Sequence, residues 1–121
     1  MANPNISSSG SFFGRSNGLA LTTSAQNITG TVATNRVYKV NSLIIANVNG
    51  TSAADVTVTW FDSSAGTSYN LAFTITVPAD STLVVISKDT QIYLEEGDSI
   101  SVTASANSVL HGTVSFEEIY A

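Results

Sequence analysis

From Leu19 onward the chain alternates between apolar and polar positions. Tyr69, Leu71, Phe73, Ile75 and Val77 are interleaved with Asn70, Ala72, Thr74 and Thr76. Val56, Val58 and Trp60 alternate with Thr57 and Thr59, and Ile100, Val102 and Ala104 with Ser99, Ser101 and Thr103. Leu110, Val114 and Phe116 share one parity of the last run. A period of two places successive side chains on opposite faces of an extended segment, so each run reads as a strand with one buried face. The richness in Val, Ile and Thr agrees, because β-branched side chains fit a pleated, half-buried surface. Asn49-Gly50, Gly66, Pro78 and Gly97 punctuate the runs and supply turn chemistry.

The pattern predicts strands over 18–25, 27–34, 37–48, 55–62, 68–77, 82–87, 90–95 and 98–105, with a ninth at 108–119. The first two read equally as one broken strand. No segment repeats apolar residues at helical spacing over a helix length. Many short strands separated by turns imply an all-β fold, an antiparallel β-sandwich of jelly-roll type. Residues 1–16 read as an extended N-terminal arm, with Phe12 and Phe13 available for a neighbouring subunit; residues 17–121 form the single sandwich domain. Parity assigns Ile44, Ala46, Val58, Trp60, Leu71, Phe73, Ile75, Val85, Leu94, Ile100, Val102, Val114 and Phe116 to the core. LIIA, within the strand 37–48, is apolar on both faces, so that strand is central or meets another chain.

Composition sharpens this. The 121 residues fit one domain. Charged residues make up only 11%, against roughly 25% in an average soluble domain. Ser and Thr fill the gap. A surface solvated by hydroxyls and amides repels its copies weakly and suits a protein rich in interfaces. Net charge is −5, and Arg15, Arg36, Lys39 and Lys88 are the only Lys and Arg residues. They cannot form the basic stripe that phosphate neutralisation needs, so nucleic-acid binding is not expected. The absence of cysteine excludes a disulfide framework and a thiolate metal site. The start, MANPNISSSG, has neither a basic region nor an apolar run of signal-peptide length, and no stretch has the length and hydropathy of a membrane span.

Candidate chemistry is sparse. His111 is the sole histidine, and its parity is opposite to that of Leu110 and Val114. It is expected to face outward, without the orienting partner a general base needs. Glu95, Glu96 and Asp98 crowd into YLEEGDS. Calcium takes six to eight oxygens from several loop positions, and the usual spacing of a calcium loop is missing. A turn needs no ligand: Gly97 takes a positive φ and Asp98 accepts a backbone N–H. Glu117 and Glu118 are expected to discourage pairing at a C-terminal edge strand, or to meet Arg15 or Arg36 of a neighbour. Trp60 and Tyr69 would make a sugar platform if exposed, but parity buries them. Phe61, on the opposite face, is expected to touch something outside the core. The N-x-S/T triplets at Asn5, Asn27 and Asn49 are no more than this Ser- and Thr-rich composition yields by chance.

Three strings carry a resemblance: MANPNI, VYKVNSLIIANVNGTSAADVTVTW, and ITVPADSTLVVISKDTQIYLEEGDSISVTASANSVLHGTVSFEEI. The VPADSTL…YLEEGDS…TASA…EEI frame resembles small β-sandwich virion structural proteins of tailed bacteriophages, of the cyanophage and marine phage group. The resemblance implies a non-enzymatic protein in the virion, made in the host cytoplasm. The place of such proteins in the virion varies; a neutral, hydroxyl-rich sandwich with an N-terminal arm suits a capsid cement or decoration subunit that binds and stabilises the head shell, with the major capsid protein as first partner. A tail, neck or fibre position and a carbohydrate-binding module for host adhesion are the alternatives. A homo-oligomer is expected, with a trimer favoured, and neither cofactor nor membrane is implied. Contact residues would be Phe12, Phe13, Arg15, Arg36, Phe61, Glu117 and Glu118.

Overall fold

The computed structural model describes residues 3–5 and 10–120. Among the described residues nine strands follow one another: β1 (Ser11–Ala20), β2 (Gln26–Asn27), β3 (Arg36–Asn47), β4 (Ala54–Asp62), β5 (Thr67–Val77), β6 (Thr82–Ile86), β7 (Ile92–Leu94), β8 (Ser99–Ala104) and β9 (Leu110–Tyr120). They form two antiparallel sheets, as the two-residue period predicts. One runs β1-β9-β3-β6, with β7 also paired to β3; the other runs β2-β8-β4-β5. No helix among the described residues is long and apolar enough to cross a membrane.

The sheets bury Val40, Leu43, Ile45, Leu110, Val114 and Phe116 from one side against Val56, Val58, Ile100 and Val102 from the other. Strand β3 is central, between β9 and the β6/β7 pair, which is one of the two positions that the apolar LIIA stretch allowed. Leu94, Ile100, Val102, Val114 and Phe116 are core residues, as parity requires.

Parity fails where the ladder slips. In β3 the pairing with β9 jumps from Val40↔Phe116 to Ser42↔Ser115, leaving Asn41 as a bulge. One extra residue turns every later side chain to the other face. Tyr38 and Val40 therefore point inward before the bulge, and Leu43, Ile45 and Asn47 after it. Ile44 and Ala46, expected in the core, are only half-buried. Asn47 is a buried polar residue with its bonds made: its side-chain amide donates to the carbonyls of Ser52 and Val77 and its oxygen accepts from Asn49 N–H.

Strand β5 departs most. Its pairing with β4 slips twice, between Val56 and Val58 and again between Val58 and Thr59, and Thr74 sits at φ +46°. It is also the last strand of its sheet. The even alternation of its sequence is therefore not an alternation of burial. Leu71, Phe73 and Ile75 are exposed, contrary to expectation, as is Tyr69. Trp60 and Val85 are half-buried against the core.

The N-terminal boundary moves as well. An arm through residue 16 is not what the described residues show. Ser11 to Ala20 pair antiparallel with β9 over their whole length, from Ser11↔Tyr120 to Ala20↔His111. Residues 11–16 thus complete the first sheet. Of the preceding segment, residues 3–5 are described, and Pro4 is buried. In consequence β9 is flanked on both sides and is not the edge strand that Glu117 and Glu118 were expected to guard.

Candidate interaction surface

Three features stand out: an ion cluster, a carboxylate turn and an apolar margin. The ion cluster forms because β1, β9 and β3 lie side by side. Glu118 on β9 faces Phe13 on β1 and Tyr38 on β3. Its carboxylate is buried, yet Arg15 Nε donates to Oε1 at 2.6 Å and Arg36 Nη1 to Oε2 at 2.8 Å. Burial alone would raise the Glu118 pKa; the hydrogen bonds from Arg15 and then Arg36 outweigh it and hold the carboxyl below its ordinary value. Both arginines are pushed up, chiefly by their hydrogen bonds to Glu118. The Tyr38 hydroxyl is also raised, first by burial and then by the Glu118 charge. Aromatic rings brace the cluster. Arg36 lies over Tyr120 at 4.0 Å, Arg15 over Phe13 at 5.6 Å, and Phe13 and Tyr120 are 5.3 Å apart. The sequence reading offered pairing across subunits only as the alternative to guarding an edge; the structure pairs Glu118 with both arginines of its own chain.

The structure thus gathers Phe13, Arg15, Arg36 and Glu118. Phe12 and Glu117 alternate with Phe13 and Glu118 along their strands, Phe12 exposed and Glu117 half-buried. Phe61 belongs to the other sheet, between Ser68 and Ser99, and is exposed.

The EEGD segment is a turn. Gly97 has φ +87°, and a Cβ there would meet Ser63 Oγ at 2.5 Å, so conformation and space both require glycine. Asp98 is buried. Its Oδ1 accepts Ser63 N–H at 2.9 Å, and its Oδ2 accepts Glu95 N–H at 3.1 Å and the Trp60 indole N–H at 3.4 Å. Glu96 accepts Asn35 N–H at 3.2 Å. Two of the three carboxylates are thereby used in closing loops. No group of three ionisable ligand residues capable of holding a metal occurs among the described residues. Beside the turn lies a cleft of about 260 Å³ lined by Trp60, Asp62, Ser64, Tyr93, Glu95 and Asp98. His111 is exposed on β9, opposite Ala20 and Ala46. Its shallow surroundings, Gly18, Leu19, Ala20, Gly112 and Thr113, include no carboxylate.

The apolar margin was missed by the sequence reading. Strands β5 and β6 end their respective sheets and line a groove of about 400 Å³ with Leu71, Phe73, Ile75, Leu83 and Val84. Phe73 is 64% exposed, Val84 57% and Tyr69 51%. Neither strand contains a charged residue. That neutrality was the available signal: an outer strand is normally blunted by charge.

No family model matches the chain, and no curated protein does. Among solved structures, one from work describing Bacillus endospore appendages as a novel family of disulfide-linked pili aligns over 92% of this chain and 87% of its own, with a TM-score of 0.53 and 15% identity. A pentameric capsid protein isolated from metagenomic phage sequences aligns over 87% of this chain and 62% of its own, at TM-score 0.40 and 15% identity. The virus-like particle of the extra small virus of the giant freshwater prawn Macrobrachium rosenbergii contributes a third, over 92% and 79%, at TM-score 0.43 and 10% identity. The first is a likeness of fold.

Proposed function

We propose that this chain is a non-enzymatic structural subunit of a tailed-phage virion, a cement or decoration protein that binds the head shell and stabilises it. The observation that carries the reading is the exposed, uncharged β5–β6 margin on an otherwise hydroxyl-rich sandwich. Apolar surface of this kind marks a site of macromolecular contact. The resemblance of residues 37–119 to phage virion proteins supplies the setting. The pilus likeness adds that a sandwich of this shape occurs in an assembling subunit. With no cysteine, any assembly of this chain is held without disulfides. Each copy would bridge neighbouring shell subunits, and many weak contacts would sum through multivalency.

The test is to add the purified chain to shells that lack it and image the particles. Density in three- or six-fold clusters on the head, with shells that resist heat better, is the expected result. A ring on the tail axis, or no binding to shells, overturns the cement reading. Because β1 begins at Ser11, a truncation that probes the N-terminal segment should remove residues 1–10 only. Removing 1–16 would strip Phe13 and Arg15 from the ion cluster and uncover β9. The 1–10 deletion is expected to fold and to show lower occupancy.

A second reading has one observation behind it. The cleft beside the turn sets Trp60 and Tyr93 with Asp62 and Glu95, an aromatic and carboxylate combination suited to a sugar. Quenching or enhancement of Trp60 fluorescence by a glycan panel would support host-glycan binding; unchanged emission across the panel would remove it.

A further inference from the structure

We propose that the β5–β6 margin pairs two copies of this chain about a twofold axis, an inference that rests on the structural-subunit reading and names its first partner. The patch supplies a large share of the area needed. Leu71, Phe73, Ile75 and Val84, which line one groove, together expose on the order of 300 Å² of apolar surface, under half of the ~800 Å² each partner gives to a standard interface. The polar residues and backbone of the same strands supply area for the remainder.

Charge selects the occupant. The chain carries −5 overall, and Thr67–Val77 and Thr82–Ile86 contain none of it. A basic partner would be drawn to the acidic surface elsewhere. A second acidic copy meets less repulsion along these two uncharged strands, with Asp55 bonded to Thr76 and Asp80 in the β5–β6 connection at their flanks. Shape selects it too. A twofold contact demands a patch complementary to itself. Phe73, the most exposed of these side chains, forms one wall of the groove that Leu71, Ile75, Leu83 and Val84 complete. One copy therefore offers both the projection and the recess that its twin needs.

The margin lacks three of the usual protections of an outer strand, namely charge, proline and short length, and keeps one, the bulge. At the other end of the same sheet, β2 is two residues long, too short to template pairing. Strand β5 has eleven residues with no charge and no proline. Its slips around Ala72 and Thr74 break the hydrogen-bond ladder. The contact therefore runs through side chains and does not extend the sheet strand to strand. A twofold contact makes pairs; the trimer expected from the sequence would require a second, different contact.

Sedimentation equilibrium on the full chain across the micromolar range tests this, with Phe73→Glu and Val84→Glu as variants. The wild type should pair, and added salt should tighten the pair by screening the net charges. Each variant should weaken pairing by at least ~30-fold, the loss typical of a central anchor residue. Melting curves taken below the pairing concentration should coincide with wild type, because both side chains are already exposed in the single chain. A wild type that stays monomeric overturns the proposal, and so does pairing that survives Phe73→Glu. A trimer as the first species overturns the twofold. If the isolated chain is monomeric yet Phe73→Glu abolishes shell binding, another virion protein occupies the margin and the second copy is wrong, while the structural-subunit reading stands. If the chain pairs as expected but never binds shells, the pairing stands and the cement reading falls.

Discussion

The two lateral margins of this sandwich solve the same problem in opposite ways. On one side β1, β9 and the start of β3 present rings and charges, and the buried carboxylate is answered within the chain: Glu118 is held by Arg15 and Arg36. On the other side β5 and β6 present Phe73, Val84 and Tyr69 with no charged residue in either strand. The first margin is completed by its own side chains. The second leaves apolar surface in water, and that arrangement is stable in company. The difference teaches where this chain spends its few ions. Two of its four Lys and Arg residues serve one buried carboxylate, and none defends the outer strand.

The largest expected effect comes from breaking the first margin. Glu118→Gln removes the charge that both guanidiniums grip and leaves them beside each other without a counter-ion. Loss of one partner of a buried pair costs about 3–5 kcal/mol. That cost comes from stranding a buried charge; the guanidiniums stranded here keep water contact, so a smaller loss is expected, read as a fall in urea midpoint at unchanged slope. A cost near zero would mean that the cluster adds nothing to the fold, and the contrast between the margins would lose its physical basis.

Acid offers a milder way to break the same cluster. The folded Glu118 carboxyl sits below its ordinary value of 4.5. A lowered folded pKa means that the unfolded chain binds the proton more readily. The stabilisation is therefore full above the ordinary value and is lost as pH falls through the lowered folded one. The wild type should lose stability over that acidic window more steeply than Glu118→Gln, and the two curves should converge below it. Parallel curves would show that Glu118 does not couple to folding.

How much of this was legible beforehand follows from the ladders. Strands β3, β4, β5, β8 and β9 could be placed to within one or two residues, because alternating Val, Ile and Thr marks an extended segment; in β4, β8 and β9 the alternation also gave the buried face. The EEGD turn was legible too, since Gly97 and Asp98 are local chemistry. Three things were not. The bulge at Asn41 reassigns Leu43, Ile44, Ile45 and Ala46, and a slip of one residue leaves no mark on the period. The exposure of Leu71, Phe73 and Ile75 depends on strand order, which alternation does not encode. Strand β1, SFFGRSNGLA, has two glycines and a weak period; its pairing with β9 is a tertiary fact. The contact between Arg15 and Glu118, 103 positions apart, depends on that pairing.

The smallest expected effect sharpens the comparison most, because it separates completing a margin from merely lying on one. Arg15→Ala and Phe73→Ser both remove a large, solvent-accessible side chain from an outer strand. If margins were equivalent, the two would cost the single chain alike. The geometry says otherwise. Arg15 supplies one of the two guanidiniums on Glu118, so its loss leaves a buried carboxylate with Arg36 alone. Phe73 is 64% exposed, and a substitution at such a surface position stays within about 0.5 kcal/mol. Measured on dilute chain, where copies are apart, Arg15→Ala should lower the melting temperature by clearly less than Glu118→Gln but by more than Phe73→Ser. The order should reverse in concentrated solution for any property that depends on pairing, since Phe73 lies in the contact and Arg15 does not. Equal melting temperatures for the two variants at low concentration would show that the ion cluster is a surface ornament, and that neither margin is closed by the chain itself.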